Sequence, residues 1–162
     1  MIIETQFYPG ALGEIITLHA QYYAENWGFG TFFEAKVGRE LSDFATRCAT
    51  NDLLLLARDD TGLAASLILD LNDSASGVRG GHLRWFIAAE RCRGSGMGRA
   101  LMETAITHAE RHSGGRMWLT TFKGLGPARH LYESFGFHLA AEAPGEAWGT
   151  VVTEQEFQRK VP

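Results

Sequence analysis

The chain has 162 residues, of which 45% are hydrophobic and 21% charged, and its formal net charge at pH 7 is −4. This size suits a single globular domain over residues 1–162. The composition excludes a membrane span, the clustered basic surface of a nucleic-acid-binding protein and, with only two distant cysteines (Cys48 and Cys92), a disulfide framework. Because no signal-peptide pattern opens the chain, we expect a soluble, cytoplasmic protein with reduced thiols.

The first half of the chain predicts a short strand, two helices and three more strands. β-branched residues followed by Pro9 and Gly10 outline the opening strand. Apolar residues at helical spacing, Leu12, Ile15 and Ile16 among them, indicate the first helix. The predicted elements are a strand over 1–8, helices over about 11–25 and 32–48, two strands within 52–72 joined at the turn DDTG, and a strand over 81–89.

The second half alternates helices with strands. Leu101, Ala105 and Ala109 recur at helical spacing after a glycine-rich stretch, and Gly114 and Gly115 end that helix. The predicted elements are a helix over about 95–113, a strand over 116–122, a helix over 126–136, and strands over 137–143 and 147–157 separated by PGE. This order predicts a mixed sheet with helices on its faces.

A glycine-rich loop, RGSGMG at 93–98, joins the strand over 81–89 to the helix that follows. The first N–H groups of a helix lack internal partners and the helix dipole is positive there, so this arrangement favours a bound phosphate. Spacing excludes two phosphate-binding patterns. A Walker loop needs Lys followed by Ser or Thr, and the dinucleotide fingerprint needs glycine where Arg99 stands.

The loop resembles the pyrophosphate-binding motif of the GNAT superfamily of N-acetyltransferases, Gln/Arg-x-x-Gly-x-Gly/Ala, with Arg93, Gly96 and Gly98 at the defined positions. An overlapping match on Arg91, Gly94 and Gly96 also fits the spacing. We favour the later register because it puts Gly98 at the start of the helix.

A second segment, ARHLYESFGF, is similar to the GNAT pattern Ala-x-x-x-Tyr-Glu-x-x-Gly-Phe, one strand after the glycine loop. The phrase WLTTFKGLGPARHLYESFGF and the tail WGTVVTEQEF also resemble the acetyltransferase half of bacterial proteins that fuse a winged-helix regulator to a GNAT domain. From this likeness we expect a stand-alone version of that domain.

The resemblance implies the GNAT acyl-CoA N-acyltransferase fold, of the α/β (α+β) class, with a mixed, mostly antiparallel sheet of about seven strands flanked by about four helices. It implies acetyl-CoA as acyl donor, no metal, and direct attack by a primary amine of a small molecule, peptide or protein. Tyr132 is implied to protonate the departing thiolate, and a backbone N–H around Ile87 or Ala88 to bind the thioester oxygen. The implied acetyl-CoA-binding residues are Phe86, Ile87, Ala88, Arg93, Gly94, Ser95, Gly96, Met97, Gly98, Arg99, Ala128 and Tyr132.

The sequence leaves the acceptor side open. Leu125 stands where many GNAT enzymes have an Asn that contacts the coenzyme, which leaves a non-catalytic acyl-CoA-binding or ligand-sensing module as the alternative to an enzyme. The resemblance also allows a homodimer through the C-terminal strands. The candidate general bases are Glu25, Glu34, Asp70, Glu90 and His82. Aromatic residues that form either an acceptor wall or core are Tyr22, Tyr23, Trp27, Phe29 and Phe32.

Five further residues are given no catalytic role, and the two histidines among them are predicted to be solvated. His108 and His112 lie one helical turn apart, but no third ligand is in view, so we predict no metal site there. Trp118 and Trp148 are predicted to be packing residues. Cys92 adjoins the glycine loop without a patterned base, so we do not predict a cysteine nucleophile.

Overall fold

The computed structural model describes residues 1–161, and within them it contains seven strands and four α-helices. In chain order they are β1 (Ile2–Glu4), α1 (Ala11–Trp27), α2 (Thr31–Arg47), β2 (Leu53–Asp59), β3 (Gly62–Asp70), β4 (Gly81–Ala88), α3 (Met97–His112), β5 (Met117–Phe122), α4 (Gly126–Ser134), β6 (Phe137–Gly145) and β7 (Val152–Arg159). The predicted class and element count are confirmed. None of the described helices is long and apolar enough to cross a membrane.

The strands form one sheet in the order β1-β2-β3-β4-β5-β7-β6. Neighbouring strands are antiparallel except β4 and β5, which are parallel and pair over only two positions, Gly81 with Met117 and His82 with Trp118. Beyond these two pairs β4 and β5 diverge. The centre of the sheet therefore contains a wedge-shaped opening between two strands.

Each face of the sheet is covered by one pair of helices, with its own apolar core. Side chains alternate across the strands, so that Leu55 belongs to the core under α3 and α4 while Leu54 belongs to the core under α1 and α2. The predicted stripe of Leu101, Ala105 and Ala109 is fully or nearly buried in the α3/α4 core. The wedge opens between these two cores.

The opening strand is shorter than predicted. It pairs with β2 only over Ile2–Glu4. After it the chain turns toward the helices, where Phe7 packs edge to face on Phe44 with ring centroids 6.2 Å apart, and the Tyr8 hydroxyl donates a hydrogen bond to Glu14 of α1. Packing against helices thus replaces strand pairing over the second half of the predicted strand.

The predicted turn between the last two strands is also wrong. Pro144 and Gly145 continue β6, and the turn lies at 146–151, mostly inside the segment predicted as the last strand, 147–157. β6 is the edge of the sheet, where the missing N–H of Pro144 interrupts no ladder. Gly149 has φ +88, and a side chain there would meet the ring of Phe32, so the chain turns where that ring packs.

Candidate active site

A bulge in β4 shapes one wall of the wedge. Trp85 has φ +47, and the register between β3 and β4 shifts between Ser66 and Ile68. The Ser66 hydroxyl donates a 2.6 Å hydrogen bond to the Trp85 carbonyl, which satisfies the oxygen at the irregular position. Bulges of this kind bend a strand and redirect its side chains, so β4 leans away from β5 after this point.

The end of β4 presents free backbone groups to the wedge. Ala89 N–H donates a 2.7 Å hydrogen bond to the Ala64 carbonyl of β3. Because backbone groups alternate sides along a strand, Ile87 also faces β3, whereas the N–H and C=O of Phe86 and Ala88 face the opening. Of the two N–H groups predicted to bind a thioester oxygen, Ala88 is thus directed into the wedge and Ile87 toward β3.

The glycine loop forms an open cradle at the start of α3. Gly94 and Gly96 have φ of +75 and +85, and a Cβ built on either would meet no atom within 4 Å. The first α-helical hydrogen bond runs from Ala100 N–H to the Gly96 carbonyl, which leaves the N–H groups before it without helical acceptors. Only glycine adopts this backbone without strain, and the space that it leaves suits an anion close to the main chain.

The three arginines around the loop have different roles. Arg91 forms an ion pair with Asp59 at 2.8 Å and donates to the Leu63 carbonyl, so it is turned toward the hairpin of β2 and β3. Arg93 lines the cleft, with its guanidinium 4.5 Å from the centroid of the Tyr22 ring. Arg99 donates to the Ser134 hydroxyl outside the cleft. Of the two motif registers, the one that begins at Arg93 therefore places its arginine at the cleft.

A cleft of about 780 Å³ connects the wedge, the glycine loop and the N-terminal end of α4. Ser95 and Arg99 are the two implied acetyl-CoA-binding residues that do not line it. Ser95 instead hydrogen-bonds the Cys92 carbonyl through both its N–H and its hydroxyl. The implied residues that line the cleft are Phe86, Ile87, Ala88, Arg93, Gly94, Gly96, Met97, Gly98, Ala128 and Tyr132.

Tyr132 lies on α4 and is 8% exposed, with its ring packed among Phe86, Phe137 and Phe157. Its hydroxyl makes no hydrogen bond to residues 1–161 and is not among the fully buried atoms without a partner there, so it is open to the cleft that Tyr132 lines. Burial of the ring raises the pKa of this phenol above its ordinary value. Tyr23 of α1 also lines the cleft. Both phenols line the same cleft, and burial, followed by electrostatic repulsion from Tyr132, raises the pKa of Tyr23.

Some of the aromatic residues between Tyr22 and Phe32 line the cleft, and others pack in the core. Tyr22 and Tyr23 line the cleft, whereas Phe29 is buried in the α1/α2 core and Phe32 is 59% exposed. Trp27 packs on Phe122, with ring centroids 4.9 Å apart. Trp118 is buried as predicted, but Trp148 lines the cleft as well as packing on Phe122, so its assignment to packing alone was incomplete.

Leu125 caps the start of α4 and packs in the α1/α2 core. Its carbonyl accepts the Arg129 N–H at 2.9 Å, and its side chain lines the cleft. The polar contact that an asparagine makes from this position in many relatives is replaced here by an apolar surface.

The five candidate bases differ in their access to the cleft. Glu25, Glu34 and Glu90 are exposed and lie outside it. The Asp70 side chain is fully buried, and its carboxylate pairs with Arg47 at 2.6 Å and Arg84 at 3.2 Å. The cleft-lining candidate among the five is His82.

His108 and Cys92 take structural roles. His108 Nε2 hydrogen-bonds the Asn51 carbonyl at 2.7 Å, and no group of three or more metal-ligating side chains is found within residues 1–161. Cys92 lines the cleft, but its thiol is directed at the carbonyls of Ala64 and Ala89, at 3.1 and 3.2 Å. Neither carbonyl can remove the thiol proton.

Sequence reasoning did not find His19, which falls at helical spacing with the apolar residues of α1. It is 6% exposed, lines the cleft and hydrogen-bonds the Ile15 carbonyl through Nδ1 at 2.8 Å. Because a carbonyl only accepts, Nδ1 carries the proton. Burial lowers the pKa of His19 to about 4, although the Ile15 hydrogen bond works against this shift.

This buried histidine leads to a prediction about stability. Below pH 6.5 the unfolded chain protonates His19, whereas the folded protein does not until about pH 4, so the free energy of unfolding falls as the pH drops through this window. The expected loss is up to about 3 kcal/mol. Urea unfolding at several pH values should show this slope, reduced in His19→Gln and retained in the exposed-histidine control His138→Gln. An equal slope in both variants would contradict the assignment.

Comparison with known proteins identifies the family. Residues 12–137 match the model of the acetyltransferase (GNAT) family. The chain has no significant match among curated protein sequences. It is similar in fold to the ribosomal-protein-alanine N-acetyltransferase of Brucella melitensis, with 16% identity, a TM-score of 0.74, and coverage of 99% of this chain and 100% of that one.

Two further structures share the fold. A mutant spermidine N-acetyltransferase from Vibrio cholerae is 18% identical, with a TM-score of 0.65 and coverage of 98% of this chain and 94% of that one. A protein from Salmonella typhimurium, assigned as an acetyltransferase and solved with its cofactor acetyl-CoA, is 16% identical, with a TM-score of 0.73 and coverage of 99% and 94%. The chain described here thus belongs to the GNAT family of acetyltransferases, whose acetyl donor is acetyl-CoA.

Proposed function

We propose that this protein transfers the acetyl group of acetyl-CoA to a primary amine by direct attack, with both substrates bound at once. The observation that supports this most is the continuity of the cleft. It joins an open glycine cradle, a free strand edge and the phenol of Tyr132 in one space. Family membership alone does not assign these residues their roles.

The cradle and the strand edge suit the two ends of the donor. Acetyl-CoA supplies a thioester, whose carbonyl carbon is the electrophile. The glycine loop, with Arg93 beside it, offers backbone N–H groups and one positive charge to the pyrophosphate. The free N–H and C=O groups of Phe86 and Ala88 can pair with the amides of an extended pantetheine arm, as an added strand would.

Two groups act on the reacting bond. A free N–H at the end of β4 donates to the carbonyl oxygen, where negative charge develops during attack. Tyr132 donates its proton to the sulfur as the C–S bond breaks. Burial raises the pKa of this phenol, but the same desolvation raises the proton affinity of a thiolate beside it.

Direct attack is supported by the state of Cys92. An acyl-enzyme route needs a thiolate at the cleft, and the Cys92 thiol is held against two carbonyls with no base beside it. Nothing else in the mechanism requires a covalent intermediate on the protein.

The charges at the acceptor end are mixed. Lys36, Glu40, Arg84 and Glu154 all line the cleft, and Lys36 and Arg84 are both paired with Glu40. This end can accommodate a polar amine without selecting a small molecule, a peptide or a protein. The two named relatives act on a ribosomal-protein alanine and on spermidine, and they supply the first acceptors to test.

Calorimetric titration with acetyl-CoA, CoA and NADH tests the donor site, and we expect binding of the first two only. Turnover is then measured with spermidine, a peptide that begins with alanine, and lysine. Binding without turnover of any amine would instead favour the non-catalytic acyl-CoA-binding module, the alternative supported by Leu125. If acetyl-CoA does not bind, both the acetyltransferase and the non-catalytic acyl-CoA-binding module are contradicted. The likeness to winged-helix fusion proteins stays a prediction.

A further inference from the structure

His82 is held in one orientation at the apex of the wedge, where β4 and β5 are last paired. Its ring stacks on Trp118, with centroids 3.7 Å apart, and its Nδ1 lies 2.7 Å from a carboxylate oxygen of Asp73. The other oxygen of Asp73 accepts the Ala75 N–H at 2.8 Å. The imidazole is thus fixed on one face by an aromatic ring and at one edge by an anchored carboxylate.

The hydrogen bond to Asp73 determines which nitrogen carries the proton. A carboxylate only accepts, so Nδ1 donates to it and Nε2 keeps its lone pair. Nε2 has no hydrogen-bond partner within residues 1–161. If it were fully buried, it would be a buried polar atom without a partner, and the only side-chain nitrogen or oxygen of that kind found there is Arg58 Nε. The lone pair of His82 therefore contacts open space, and the space that His82 lines is the cleft.

The imidazole is neutral at physiological pH. Burial, with a smaller contribution from Arg84, lowers the pKa of His82 to about 4, although Asp73 and Asp70 work against both effects. The charged groups around it are Asp73 from the loop after β3, Asp70 from β3 and Arg84 from β4, with Glu40 of α2 beyond Arg84. A neutral imidazole has a lone pair that can accept a proton at any pH above about 4. Its low pKa makes it a weak base, and the Asp73 carboxylate offsets part of the desolvation that disfavours the cation.

His82 and Tyr132 lie on opposite sides of the sheet. Leu83 belongs to the α3/α4 core, so alternation along β4 directs His82 toward the α1/α2 face. Tyr132 belongs to the α3/α4 core. An amine that enters on the α1/α2 face would meet a proton acceptor there, while the thiol leaves beside a proton donor on the other side of the wedge.

We propose that His82, oriented by Asp73, is the general base that takes the proton from the attacking amine. This inference rests on the proposed acetyl transfer. His82 precedes Phe86 by four residues, roughly 13 Å along a strand, so the proposed transfer runs through a chain of several water molecules in the cleft. As the N–C bond forms and the C–S bond breaks, the amine proton moves to Nε2 and the Tyr132 proton moves to sulfur. Solvent then removes the first proton and replaces the second.

The first test compares His82→Gln with the matched control His108→Gln, a half-buried histidine outside the cleft. Kinetics use whichever of spermidine, the alanine peptide or lysine the wild-type protein acetylates. We expect kcat to fall about 100-fold in His82→Gln, with the Kd for acetyl-CoA unchanged, and to stay within twofold in His108→Gln. Added imidazole should restore part of the activity of His82→Ala.

Asp73 is a positioning residue and has its own readout. Asp73→Asn offers an amide N–H to Nδ1, which moves the ring proton to Nε2. The ¹⁵N spectrum should show the Nδ1–H tautomer of His82 in the wild-type protein and the Nε2–H tautomer in the variant, with kcat lowered about tenfold. A wild-type Nε2–H tautomer overturns the proposal.

The remaining outcomes separate the two levels of inference. In one outcome the wild-type protein turns over, and His82→Gln binds acetyl-CoA normally and keeps kcat within threefold. This outcome overturns the assignment of His82 as general base and leaves the proposed acetyl transfer unaffected. Absence of wild-type turnover with all three amines overturns acetyl transfer, and the base with it.

Discussion

Replacing Gly96 with Glu is expected to weaken acetyl-CoA binding by about 100-fold or more. Gly96 lines the cleft, and a side chain there would extend into the open space of the cradle. A carboxylate about 4 Å from a phosphate costs about 4 kcal/mol at an effective dielectric of 20, and each 1.4 kcal/mol is about tenfold in affinity. Calorimetry with acetyl-CoA measures the effect directly.

The chain provides a matched control for the backbone strain of this change. Gly114, beyond the far end of α3, has φ +63 and also has no atom within 4 Å of a built Cβ. Gly114→Glu therefore adds the same charge and a similar cost for a left-handed residue, about 1–2 kcal/mol. Both variants should lose similar thermal stability, but only Gly96→Glu should lose binding. If the Kd for acetyl-CoA of Gly96→Glu stays within threefold of the wild-type value, the glycine loop does not bind the pyrophosphate.

The glycine loop illustrates what local sequence can predict. Glycines before an apolar helical stripe determine a left-handed cap and a helix start within a few residues, and Gly96, Met97 and Leu101 take those positions. The site residues on α4 follow from an equally local signature around Tyr132. In both cases the physical information lies within a short continuous stretch of sequence.

The wedge could not be predicted in the same way. It depends on β4 and β5 pairing at only two positions, and on β7 entering the sheet between β5 and β6. The positive φ of Trp85 has no sequence signal, because tryptophan rarely adopts it and only the surrounding sheet enforces it. Asp73 reaches His82 through the loop after β3, which no spacing rule connects to a strand.

The misplaced turn before β7 shows the limit of residue preferences. Pro and Gly in PGE usually mark a turn, but Pro144 lies on an edge strand, where it has no ladder bond to break. The turn instead includes Gly149, which has φ +88 and whose N–H donates to the Glu146 carbonyl at 2.9 Å. Trp148 lies in this turn and lines the cleft, although the sequence assigned it to packing.

Replacing Tyr132 with Phe is expected to lower kcat about 100-fold while the Kd for acetyl-CoA changes less than threefold. Phenylalanine keeps the ring contacts with Phe86, Phe137 and Phe157 and removes only the hydroxyl. Because no group within residues 1–161 hydrogen-bonds that hydroxyl, its loss leaves no protein partner unsatisfied, and stability should hardly change. The loss should then appear in the step where the thiolate leaves, which single-turnover kinetics isolates.

Tyr23→Phe is the control, because Tyr23 is a second buried phenol at the same cleft. If the phenol acts as the acid only where α4 places it, Tyr23→Phe should keep kcat within about fivefold. Equal losses in both variants would mean that the hydroxyls polarise the cleft jointly and that neither is the specific donor. A Tyr132→Phe enzyme with wild-type kcat would mean that solvent protonates the sulfur, and the unpaired hydroxyl would need another explanation.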